Sequence, residues 1–280
     1  MNIALFTDEI YKEDFTRALD RAVEWGVSHV EVRAIDGERL PKVSAEVHGR
    51  FIAEVRDRGL AVSGLSPGFF KCDLDDPEVQ ATFDDALPRL CELMGTWDTN
   101  FLTCFSYKRR EGESMSGEVI DRLGAAADLV AAAGCRLVLE NVSACWGATG
   151  AESGEIVRQV GYDRLGLCWD PGNAGRGGAD VPFPDDYETV KDLVDHVHVK
   201  NFIPDQNGWG LVDEGVVNWG AQVGALQTAG YAGFLVIETH LTERPVGRTA
   251  PPEGWIALEA NTSDNLSATR ACMTHAEVGA

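Results

Sequence analysis

Four side chains able to ligate a metal ion close four successive apolar runs in the second half of the chain. They are Glu140 in LVLEN, Asp170 in LCWDPGN, His198 in HVHVKN and Glu238 in LVIETH, at intervals of 30, 28 and 40 residues. Three carboxylates and one imidazole form a mostly hard, oxygen-rich donor set. Such a set suits Mn²⁺, Mg²⁺ or Co²⁺ better than structural Zn²⁺, which favours Cys and His; catalytic Zn²⁺ stays open. One divalent ion per chain is the expectation. A lone acid after a strand is most often a helix N-cap or a solvated loop residue, so the signal lies in the joint occurrence of the four.

The intervals fit the elements that would have to position these groups. One strand-plus-helix unit takes about 30 residues in an eight-unit barrel of about 250 residues. Strand candidates run over Asn2–Phe6, His29–Arg33, Ala61–Leu65, Asn100–Phe105, Arg136–Glu140, Leu165–Asp170, His196–Lys200 and Gly233–Glu238. Between them, Asp14–Trp25 places Phe15, Ala18, Leu19 and Ala22 on one helical face, and Gly117–Ala133 does the same with Val119, Leu123, Ala126, Ala127 and Val130. Gly26, Gly59, Gly95, Gly134 and Gly230 precede strands by one to four residues, where glycine suits the left-handed close of a helix. The pattern predicts an α/β fold, a (β/α)8 TIM barrel forming a single domain over residues 1–280. An open doubly wound sheet is the rival, but no G-x-G-x-x-G follows the first strand. The longest irregular stretch, 241–261, follows the last strand; a lid carrying Trp255, a surface excursion and a subunit contact all fit it.

The composition narrows the partners. Of 280 residues, 44% are hydrophobic and 25% charged, as in a soluble globular protein. No stretch reaches the ~20 apolar residues that cross a bilayer. MNIALFTDEI runs straight into acid without a basic start, unlike a signal peptide. The net charge of −21 opposes a nucleic-acid partner, which needs a cationic surface. Seven cysteines (72, 91, 104, 135, 145, 168 and 272) contain no C-x-x-C pair, and several lie in apolar runs. That favours reduced, buried thiols and a cytoplasmic location.

Further polar residues stand near the strand ends. Arg33 and Lys71 face a mouth otherwise rich in acid; each either binds a substrate anion or hydroxyl, or pairs with Asp8, Glu9 or Glu31. Lys200, two residues past His198, either polarises a substrate oxygen or bridges to a ligand carboxylate. His240 stands in the same relation to Glu238, as proton shuttle or hydrogen-bond partner. Asn173 and Trp169 are candidates for the pocket wall, although a tryptophan there is more often core. Residues two apart share a strand face, so His196 also points inward, and a core role beneath the metal suits it.

The series FTDEI (6–10), VEVR (30–33), SPGFFKC (66–72), LEN (139–141), WDPGNA (169–174), HVHVKN (196–201), DEGVVNW (213–219) and IETH (237–240) resembles the xylose isomerase-like TIM-barrel superfamily, in its sugar phosphate isomerase/epimerase branch. The resemblance runs through nearly the whole chain. It implies one divalent ion, commonly Mn²⁺, held by Glu140, Asp170, His198 and Glu238, with Glu140 and Glu238 as the acid/base pair. It also makes His198, the second histidine of the H-x-H pair, the ligand rather than His196. The chain departs from the ketose 3-epimerases of that superfamily at two substrate contacts. Asn173 stands where they carry histidine, and NFIPDQ follows where they carry an arginine.

The function expected is therefore isomerisation or epimerisation of a sugar or sugar derivative, a small-molecule carbohydrate, by proton transfer beside a carbonyl through an enediolate. Homo-oligomers are common among such barrels. A lyase, dehydratase or C-deglycosylating enzyme for 3-keto-sugars would use the same site. A phosphodiester hydrolase like endonuclease IV needs a larger histidine set than the six present, of which His29, His48 and His275 are poorly placed. A non-catalytic sugar-binding barrel would not require the intact ligand set.

Overall fold

Eight parallel strands close on themselves. In the computed structural model, which describes residues 1–278, they are β1 (Asn2–Phe6), β2 (His29–Val32), β3 (Ala61–Phe69), β4 (Phe101–Cys104), β5 (Arg136–Glu140), β6 (Leu165–Trp169), β7 (Val194–Val199) and β8 (Phe234–Ile237). Each pairs with its neighbour in sequence, and β1 pairs with β8 through Ala4↔Val236 and Leu5↔Ile237. Helices return the chain between strands, and β1 and β5 have the bounds expected from sequence. The single-domain TIM barrel is the fold. Gly279 and Ala280 of the expected domain lie outside the described residues. Among the described residues no helix is long and apolar enough to cross a membrane.

The alternation of the strands sorts two cores. Leu5, Leu235, Ile237, Leu137, Leu139, Leu167, Val197 and Val199 face the helices and join the main apolar cluster. Their neighbours point into the barrel, where Ala4, Phe6 and Val236 form a separate small cluster with Phe234. The same period of two carries Glu31, Glu140, His196, His198 and Glu238 inward, since each alternates with a residue that faces the helices.

Helix starts are capped by side chains. Asp14, Ser44, Ser116 and Asn218 each accept from a backbone N–H in the first turn, and Thr149 with Glu152 forms a full capping box. Gly26, Gly59, Gly134 and Gly230 take positive φ at helix ends, as expected. Gly95 does not. It lies inside the helix Leu87–Trp97, whose left-handed cap is Asp98 at φ 57°.

Two small antiparallel hairpins rise from the mouth: Ala34–Ile35 with Glu38–Arg39, and Asn201–Ile203 with Gly208–Gly210. The segment 241–261 is tied down by side chains: Arg248 bonds Asp213 and Glu214, while Asn261 donates to the carbonyls of Leu241 and Glu243. Trp255, the residue that would make this segment a lid, packs on Trp25 and under Arg21 on the barrel's flank.

Candidate metal centre and its surroundings

Glu140 ends β5, Asp170 follows β6, His198 lies near the end of β7 and Glu238 follows β8, so the four strand ends converge. One ligand atom from each lies within 4.8 Å of all the others, and all four residues are buried. The donors are held from behind. Asp170 caps the short helix Pro171–Arg176 by accepting from the Asn173 N–H at 2.8 Å with Oδ1. The N-cap reading of this acid is thus correct for one oxygen only; its Oδ2 is buried without a hydrogen-bond partner. Its backbone is clamped by Asn141, whose side chain exchanges two hydrogen bonds with it at 2.8 and 2.9 Å.

His198 is oriented in the same manner. Its Nε2 donates to Glu31 Oε1 at 3.0 Å, which leaves Nδ1 facing Glu140 and Glu238 at 3.4 and 3.9 Å. That Nδ1 also lacks a hydrogen-bond partner. Two buried donor atoms without a hydrogen bond, converging on one cluster of carboxylates, fit a bound cation, and a histidine backed by a carboxylate is the usual arrangement behind a metal ligand.

Glu31, which sequence reading offered only as an ion-pair partner for Arg33 or Lys71, stands directly behind this cluster. It is fully buried, accepts from Ser66 Oγ at 2.7 Å and Ser63 Oγ at 3.2 Å, and takes a second imidazole, His196 Nε2, at 2.7 Å. Burial alone would raise its carboxyl, but His196 and His198 hold it well below the usual range. Gly64 makes room for it: a Cβ there would lie 3.3 Å from Glu31 Oε2 and 3.2 Å from the Phe101 carbonyl. Glu31 pairs with neither Arg33 nor Lys71.

The cations near the mouth divide into bound and unbound. Arg33 has every edge taken, by Asp8 at 2.8 Å, by Glu238 at 2.6 Å and by Glu9. Of its two expected roles the structure shows the pairing. Lys200 Nζ sits 2.9 Å from Asp170 Oδ2 and 2.5 Å from Glu238 Oε2. His240, at φ 56°, bridges Glu9 and Glu238, each at 2.9 Å, and these carboxylates raise its pKa to about 9 against the opposing effect of burial. Lys71 lies over the Phe105 ring at 4.7 Å. Asn173 Nδ2 donates to Glu140 Oε1 at 2.9 Å. Trp169 is core, its indole N–H on Gln222. Arg39, Arg176 and Trp209, none singled out from the sequence, line the same cavity as Lys71, Asn173, Lys200 and Glu238. His29 and His48 stack on Phe234 and Trp97, apart from the centre, and the side chain of His275 lies outside the described residues.

The two carboxylates expected to act as the acid/base pair differ. Burial works against the charge of both, yet both are held below the usual range, Glu140 chiefly by His198 and Glu238 chiefly by His240 and Lys200. Glu238 touches three cationic groups, Arg33, Lys200 and His240, and its shift is the stronger.

A parallel eight-stranded barrel with buried acids and a carboxylate-backed histidine at the carboxyl ends of its last four strands defines the class. The chain matches the family described as xylose isomerase-like TIM barrel over residues 19–266, and it belongs to that family. No curated protein matches it in sequence. Among solved structures it resembles L-ribulose 3-epimerase, at 20% identity and a TM-score of 0.76, over 100% of this chain and 97% of that one. It also resembles AsbF from Bacillus anthracis, described as the probable 3-DHS dehydratase of petrobactin synthesis, at 18% identity and 0.74, over 98% and 99%. A third relative in shape is the IolI protein with a bound zinc atom, at 15% identity and 0.74, over 98% and 99%. At these identities the likeness is one of fold.

Proposed function

We propose that the protein is a divalent-metal-dependent isomerase or epimerase of a sugar or sugar derivative, working by proton abstraction beside a carbonyl. The observation that carries this reading is the convergence of two buried donor atoms without a hydrogen bond, His198 Nδ1 and Asp170 Oδ2 (the latter met only by the Lys200 ammonium), with the carboxylates of Glu140 and Glu238. Held by these four residues, Mn²⁺ (or Mg²⁺, Co²⁺ or Zn²⁺) would supply the positive charge that steadies an enediolate. Glu140, bonded to one neutral amide, is the better proton acceptor of the two carboxylates and serves as base. On the other face Glu238 is in contact with His240, which holds a proton at neutral pH and can return one through it. Trp209 lies against both His240 and Lys200, at 5.7 and 4.9 Å, and screens this side of the mouth from water.

The asymmetry of the pair favours one second reading. A Glu238 surrounded by cations is a weak base, and the protonated His240 beside it is well placed to protonate a β-leaving group, which would make the enzyme a lyase or dehydratase. Turnover of candidate substrates in D₂O separates the two. Deuterium at one carbon with the mass otherwise unchanged supports isomerisation; loss of water or an aglycone defeats it in favour of elimination.

A further inference from the structure

Above its carboxylate floor the mouth changes sign. Arg39, Lys71 and Arg176 all line the cavity that holds Glu140 and Glu238, and among the described residues none of the three makes an ion pair. Among the described residues most Lys and Arg of this acidic chain, Arg33 and Lys200 at the floor among them, are paired with a carboxylate, and nine of the 24 are not. Three of those nine share this one cavity.

Each is seated rather than loose. Lys71 rests over Phe105, and the Arg176 guanidinium lies 5.0 Å over the Trp209 ring, contacts that fix the charge while leaving N–H groups free. Arg39 comes from the hairpin after β2, whose turn residues Asp36 and Gly37 take φ 49° and 80° and aim it back over the mouth. Its Nη1 occupies the space of a missing side chain: a Cβ on Gly68 would come within 2.7 Å of it. The floor has its own compensation. Asp8, Glu9, Asp170 and Glu238 pair with Arg33, Lys200 and His240, Glu31 is held by His196 and His198, and a divalent ion at the cluster would offset most of the remaining charge.

We propose that the substrate is a small sugar acid whose carboxylate, at the end remote from the reacting carbon, is gripped by Arg39, Lys71 and Arg176. This rests on the reading of the floor given under Proposed function and adds the chemical class of the substrate. A carboxylate is favoured over a phosphate by where the cations originate. Phosphate sites in TIM barrels are frequently built by the loops after strands 7 and 8 with a helix N-terminus, whereas these three residues follow β2, β3 and β6. Two planar guanidinium forks suit the in-plane oxygens of a carboxylate.

The test is calorimetric and needs no turnover. Ribonate, ribitol and ribitol 5-phosphate are titrated into the protein with and without Mn²⁺, alongside a titration of Mn²⁺ itself. Ribonate is expected to bind about tenfold more tightly than ribitol or its phosphate, with an affinity that falls as NaCl is raised. R39Q, K71Q and R176Q should each weaken ribonate about fivefold or more and leave ribitol unchanged. Equal affinity for ribonate and ribitol, tightest binding of the phosphate, or indifference of ribonate to all three substitutions overturns the proposal. A protein that binds Mn²⁺ and ribitol but ignores the carboxylate defeats this inference alone. One that binds ribonate through the three cations but takes up no Mn²⁺ defeats the metal reading alone.

Discussion

Replacing Glu31 by Gln tests whether the buried carboxylate sets the metal ligand. Glu31 is shared by two imidazoles, with His198 Nε2 on Oε1 at 3.0 Å and His196 Nε2 on Oε2 at 2.7 Å. An amide can accept at only one of these positions; at the other it presents N–H₂ to a ring nitrogen that was donating. Where the amide meets His198, the ring must move its proton to Nδ1, the atom that faces Glu140, Asp170 and Glu238, and this blocks the ligand position. Where it meets His196, His198 keeps an acceptor but loses the full negative charge that makes it a stronger ligand. Loss of such a partner weakens metal affinity by about 10- to 100-fold, or about 1.4 to 2.7 kcal/mol. The measurement is the Mn²⁺ dissociation constant of metal-stripped E31Q by calorimetry, with circular dichroism to establish that the barrel is folded. Ser66→Ala removes only the hydroxyl that donates to Glu31 at 2.7 Å and should weaken the ion by a few-fold at most. A folded E31Q that binds Mn²⁺ within threefold of the parent would refute the argument, because His198 would then not depend on its carboxylate.

Three other perturbations test further buried charges. E140Q and E238Q should each lower kcat by at least about 100-fold, the size of a lost general acid or base, while some bound metal persists in elemental analysis; a variant that loses turnover only in proportion to its metal would show a ligand with no part in proton transfer. Lys200→Met removes the ammonium between Asp170 and Glu238, so the metal-free protein should lose about 3 kcal/mol of stability and recover most of it on adding Mn²⁺; chemical denaturation with and without the ion reads both. Far from the site, the buried Glu259 carboxylate binds Arg17 and Arg21 and ties the helix Ala257–Val278 to Phe15–Glu24. Burial would raise its pKa, yet the two arginines and the Ile256 N–H hold it below the ordinary value. Its contribution is therefore complete above the unfolded carboxylate pKa of about 4.3 and is lost as pH falls below it. E259Q should cost about 2 kcal/mol in urea at pH 7, the arginines being partly solvated, and the difference from the parent should shrink at pH 3.

What the sequence revealed of this site follows from how local each signal is. Strand ends were legible because a parallel barrel makes period and position equivalent: an acid or imidazole closing an apolar run must emerge at the mouth. Glu31 closes no run. It lies inside His29–Val32, and its partners Ser63, Ser66, His196 and His198 come from β3 and β7, so its role exists only after closure. A weaker signal was present, since Glu31 and Arg33 share the strand face opposite Val30 and Val32, and a face bearing only charge in a buried strand has to meet other charge. Gly95 misled for the converse reason. A glycine near a helix end is a statistical cue, and the helix ran past it to Asp98, which takes the left-handed cap at φ 57°. The hairpins that bring Arg39 and Trp209 over the mouth were marked by Asp36-Gly37 and Asn207-Gly208, dipeptides that favour positive φ. Those turns set the direction of a side chain two or three residues away but not the distance it crosses. Where Arg39 ends up depends on Gly68, 29 residues downstream, lacking a side chain. Ligand type was thus written locally, whereas ligand orientation and the charge of the rim depend on contacts between strands that only the closed barrel brings together.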